Sequence, residues 1–68
     1  MNVVLELVGL DGNAYSLLGA FQKAARRQKF PEAEIQVVMD EAKSGNYDHL
    51  LATLMDNTVS PEENDDNL

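Results

Sequence analysis

The chain has no cysteine among its 68 residues and only one histidine, His49. Disulfides are therefore excluded, and so is a Cys/His zinc site, which needs several thiolate or imidazole ligands. Long apolar runs are missing too: nothing comes near the roughly 20 residues a helix needs to cross a bilayer, so no membrane contact of that kind is expected. Basic residues are scarce, five against 12 acidic ones, for a formal net charge of −7. A field of that sign repels nucleic acid and anionic lipid, so binding either would require a local basic patch. A domain of this size buries only about 60% of its unfolded surface. With disulfide and zinc staples excluded, stability must come from close helix packing, self-association or a partner.

What is present divides cleanly along the chain. Four of the excess acidic residues, Glu62, Glu63, Asp65 and Asp66, crowd the end; residues 59–68 read as a disordered acidic tail and 1–58 as one small domain. At the start, Val3, Leu5 and Leu7 alternate with Val4, Glu6 and Val8, the period of a strand. That segment lacks a basic leader and carries Glu6, so it does not read as a secretion signal, and a cytoplasmic location is expected.

Asp11-Gly12-Asn13 reads as a turn running into a helix, with Asn13 as N-cap and Leu10 as a plug at the helix start. Ala14, Leu17, Leu18, Phe21, Ala24, Ala25 and Gln28 then follow helical spacing. Gly19 in their midst suggests close approach of another element. Phe30-Pro31 ends this helix and opens the next, whose stripe is Ile35, Val38, Met39 and Ala42. Ser44-Gly45 stops it, with Gly45 expected in the left-handed conformation. Asn46 caps a third helix with Tyr47, Leu50, Leu51, Leu54 and Met55 on its apolar face. The fold class is mainly α (α+β), in the order β-α-α-α.

A lone strand leaves its backbone donors and acceptors unmet. Thr58-Val59 offers only a brief second strand. Pairing of Val3, Val4, Leu5, Glu6 and Leu7 with a second copy is therefore expected, giving a homodimer, or else strand addition to another protein partner.

Two segments carry a resemblance. Asp11-Gly12-Asn13-Ala14-Tyr15 and Ser44-Gly45-Asn46-Tyr47-Asp48-His49-Leu50-Leu51 resemble a set of small uncharacterised bacterial and phage proteins, with a D-G-N-A-[FY] motif after a strand and S-G-[DN]-Y-[DN]-H-L-L after a second helix. The likeness spans about residues 3–56. Where those proteins place Ser or Thr at the second helix's cap, this chain has Pro31. The resemblance implies no activity.

Catalytic readings find little to stand on. Asp48 and His49 are adjacent at a helix start, so they diverge by about 100° and do not chelate one ion; no metal and no cofactor are expected. Ser16, Ser44 and Ser60 share a single candidate base and no evident oxyanion hole. Asp40 and Glu41 lie on different helix faces, and Glu32 and Glu34 suit the positive end of a helix dipole. Asp11-Gly12-Asn13 lacks the full glycine fingerprint of a phosphate loop, and Asp11 would repel the phosphate. Gly45 and Asn46, like Asp11, Gly12 and Asn13, are explained as turn and cap residues. The sharpest functional candidates are Lys23, Arg26, Arg27 and Lys29, clustered where the first helix ends. No aromatic residue interleaves with them to stack bases. The leading expectation is thus a noncatalytic protein-interaction module, a regulator or inhibitor if the phage likeness holds. Nucleic-acid or nucleotide-phosphate binding through the basic cluster is the alternative.

Overall fold

A computed structural model describes residues 1–61. The elements run β1 (Val3–Val4), α1 (Ala14–Arg27), α2 (Glu32–Lys43), α3 (Tyr47–Asp56) and β2 (Thr58–Val59). The order is the mainly helical β-α-α-α one, closed by the brief second strand. Among the described residues no helix is long and apolar enough to cross a membrane.

Helical spacing decides what each helix buries. Leu17, Leu18, Phe21, Ala24 and Ala25 of α1 meet Ile35, Val38, Met39 and Ala42 of α2, as their i, i+3, i+4, i+7 stripes require. From the strand side, Val3 joins Phe21, Ile35 and Leu54 as the largest fully buried side chains. Removing a buried phenylalanine ring generally costs about 3–5 kcal/mol, a large share of the few kcal/mol by which so small a domain is stable.

The third helix departs from expectation. Leu50 and Leu54 are buried, but Tyr47 and Met55 are exposed and Thr53 takes a core position. At about 100° per residue, Met55 lies about 140° around α3 from Leu50, too far to face the other helices. Thr53 is tolerated inside because its hydroxyl donates to the His49 carbonyl at 2.8 Å.

Both edges of β1 are occupied from within the chain. β1 runs parallel to β2, with Val3 opposite Thr58 and Val4 opposite Val59. Val3 N donates to the Asn57 carbonyl and Leu5 N to the Val59 carbonyl, each at 3.0 Å. On the other edge, Val4 N donates to Gln28 Oε1 and Gln28 Nε2 donates to the Val4 carbonyl, each at 2.8 Å. A carboxamide has the same donor and acceptor as a peptide group, so Gln28 stands where a neighbouring strand would. Of the segment expected to pair with a second copy, Val3, Val4, Leu5, Glu6 and Leu7, the N–H groups of Val3, Val4 and Leu5 thus find their partners within the chain. The extended pairing is also shorter than expected, because Glu6 and Leu7 belong to no strand and Gly9, at φ 94°, turns the chain.

One further boundary moves. Val59 is paired, and the Ser60 hydroxyl donates to Glu6 Oε2 at 2.9 Å, so the domain runs past residue 58. The acidic part of the expected tail, residues 62–68, lies outside the described residues. A Cβ at Gly19 would meet nothing within 4 Å beyond its own helix backbone, so the expected close approach of another element is not found. Leu10, expected as a plug, is exposed.

The helix ends use different devices. At the end of α1, Lys29 adopts φ 71°, its N–H donates to the Arg26 carbonyl and Phe30 N to the Ala25 carbonyl, both at 3.1 Å. That pair of bonds is a Schellman motif built without glycine. The end of α2 is not left-handed at Gly45, contrary to expectation; among the described residues the positive-φ glycine is Gly9. Gly45 is needed for space instead, since a Cβ there would lie 2.8 Å from His49 Cβ and Cγ.

Candidate functional site

The turn before α1 is internally consumed. Asn13 Oδ1 accepts from Tyr15 N at 2.9 Å, Asp11 Oδ1 from Asn13 N at 3.1 Å, and Asp11 Oδ2 from the Ser16 hydroxyl at 3.3 Å. The Tyr47 hydroxyl donates to the Gly12 carbonyl, tying the first turn of α3 to this loop. Asp11, Gly12 and Asn13 therefore serve as turn and cap. Asn46 does the same for α3, its Oδ1 accepting from His49 N at 2.9 Å.

Ser44, His49 and Glu41 come together and superficially resemble a hydrolytic triad. Glu41 Oε2 lies 2.9 Å and Ser44 Oγ 3.4 Å from His49 Nε2, so both address one ring nitrogen. A proton relay needs the acid and the nucleophile on opposite nitrogens. Nε2 also reaches the Glu41 carbonyl at 2.9 Å, and the Ser44 hydroxyl donates to that same carbonyl at 2.7 Å. Both Glu41 atoms are acceptors, so Nε2 carries the hydrogen. The group braces the end of α2 against the start of α3. Asp48, beside it, joins no metal-ligand cluster; none is present among the described residues.

The basic cluster is only partly available. Arg26 Nε donates to Glu32 Oε1 at 2.8 Å and its Nη2 to Glu32 Oε2 at 3.2 Å, a bidentate pair. The Glu32 hydrogen bond and charge raise Arg26 above its usual range. Lys23 and Arg27 are exposed one turn apart on α1, while Lys29 sits beyond the helix in its left-handed turn. The structure thus brings Lys23 and Arg27 together, commits Arg26 to Glu32, and sets Lys29 apart.

Sequence reasoning missed an apolar groove between residues 5–8 and α3. Its volume is about 350 Å³, and Leu5, Leu7, Val8, Leu51 and Met55 supply its apolar walls. Val8 is 84% exposed and Met55 63%, while Leu5, Leu7 and Leu51 pack partly against the core. Glu6 holds one rim in place, accepting from Ser60 Oγ and, at 3.3 Å, from Val8 N. The signal was present: a leucine-valine run too long for a two-residue strand, and a helix with more apolar residues than one face can bury. A second groove, of about 330 Å³, brings both tyrosines, Tyr15 and Tyr47, together with Lys43. Compared with known proteins, the chain matches no family model, no curated protein and no solved structure.

Proposed function

We propose that this protein is a noncatalytic protein-binding module that seats apolar side chains of a partner in the groove between residues 5–8 and α3. One observation supports the reading above others: Val8 and Met55 stand largely in solvent beside half-buried Leu5, Leu7 and Leu51. Exposed large apolar side chains gathered at one concave place mark interaction surfaces, and methionine adapts its shape to varied partners. The partner is a different protein; the motive for a homodimer disappears once Asn57, Val59 and Gln28 meet the bonds of β1. The resemblance to small bacterial and phage proteins extends the proposal to a regulator or inhibitor of a host component.

Nucleic-acid binding through Lys23, Arg26, Arg27 and Lys29 is the weaker reading, because Arg26 is already paired with Glu32. Affinity capture with wild type, Met55→Glu, and a Lys23→Glu/Arg27→Glu double variant separates the two. The proposed function requires the same captured protein with wild type and the double variant, and its loss with Met55→Glu. Salt-sensitive retention of DNA or RNA, lost in the double variant alone, would reverse the order.

A further inference from the structure

The groove's electrostatics narrow the partner. Every lysine and arginine of the chain lies between Lys23 and Lys43. The segments that build the groove, residues 5–8, α3 and β2, carry no lysine or arginine at all; their charged residues are Glu6, Asp48 and Asp56. The α-ammonium of Met1 is bound to Asn57 Oδ1 at 3.0 Å, and His49 is turned toward Glu41. On α3, Asp48, Leu51 and Met55 follow one another at i, i+3 and i+7, so acid and apolar surface share a face.

Resting on the protein-binding reading, we infer that the groove's occupant is a basic amphipathic segment of another protein. Its apolar side chains enter between Leu7 and Met55, and its lysines or arginines face Glu6 and Asp48. An apolar centre supplies the affinity, and a rim of one sign selects partners of the other and repels acidic ones. An acidic segment would gain the same apolar contacts and meet repulsion along the whole rim. A second copy fits poorly, since the surface would face its own charge.

Three labelled 14-residue peptides test this on the full chain by fluorescence anisotropy. The first has leucines at i, i+3, i+4 and i+7 with lysine elsewhere, the second replaces lysine by glutamate, and the third replaces leucine by serine. The first alone should bind, and Met55→Ser should weaken it about tenfold through lost apolar contact. Glu6→Gln/Asp48→Asn should weaken it about fivefold, against less than about twofold for Glu34→Gln/Asp40→Asn, which removes equal charge from α2. Thermal melts establish that each variant is folded. Equal weakening by the two double variants overturns the inference, reducing it to net-charge attraction. Equal binding of the lysine and glutamate peptides, both sensitive to Met55→Ser, overturns the basic specificity but keeps the protein-binding reading. Indifference of every peptide to Met55→Ser overturns both, as does sedimentation showing copies of the chain filling the groove.

Discussion

The ends of α1 and α2 solve one problem in opposite ways. α1 stops in a left-handed residue that is a lysine, Lys29, although glycine adopts φ > 0 at far lower cost. α2 stops beside a glycine, Gly45, that has no positive φ and is small because His49 stands over it. The comparison shows that a glycine reports a constraint without saying which kind, and that its absence does not exclude a left-handed turn. At α1 the position is enforced from both sides. Gln28 must present its carboxamide to Val4, and Phe30 must return to the core.

Four single substitutions and one double variant test this contrast, each read by thermal or denaturant unfolding. Gly45→Ala should have the largest effect, destabilising by about 2 kcal/mol, because the clash is with the base of the His49 side chain and not a flexible tip. Adding His49→Ala should recover only part of that loss, since the alanine keeps the Cβ that a residue-45 methyl meets at 2.8 Å. Full recovery would show that the ring alone demands the glycine. Next, Gln28→Ala should cost about 1–2 kcal/mol by leaving the Val4 donor and acceptor to water or to strangers. Val4, 37% exposed, should then exchange its amide hydrogen faster, and light scattering should detect more strand-mediated association than in wild type. An unchanged amide at Val4 would remove Gln28 from the account of β1.

Lys29→Gly should stabilise by about 1 kcal/mol, the relief of a left-handed non-glycine residue less the added freedom of the unfolded chain. A loss of stability instead would mean that the lysine side chain itself is engaged. Gly19→Ala should stabilise by about 0.5–1 kcal/mol, because this helical glycine has open space around it and alanine is the better helix former. With a domain this short, each kcal/mol moves Tm by about 4–8 °C.

What could be read from residues alone follows from how local each cause is. The stripes of α1 and α2 and the caps Asn13 and Asn46 rest on spacing within one helix, and each appears where the sequence puts it. The pairing of residues 3–4 with 58–59 was foreseen only as a minor option, because two residues carry too little pattern to outweigh the expectation of a second chain. Gln28 sits on the apolar stripe and reads there as filler; its bond to Val4 spans 24 positions and leaves no periodic trace. On α3 the apolar content predicts five residues on one side, whereas helical geometry turns Met55 away. The same surplus of apolar residues is what builds the groove. Its acidic rim was legible as composition, but only the fold sets Glu6 beside Ser60 and α3.

Parallel pairing of Val3 with Thr58 joins segments 55 positions apart, whereas the three helices follow one another through short connections. Closing so long a loop is entropically the most expensive step of assembly, and contacts of this range form late and open early. One wall of the groove continues from β1 and another includes Thr58 of β2. Occupancy and ladder closure are therefore thermodynamically linked: whatever settles between Leu7 and Met55 spends part of its binding energy holding that zipper shut. Slower hydrogen exchange at Val3 and Leu5 would be the footprint of a bound partner, read far from the atoms it touches.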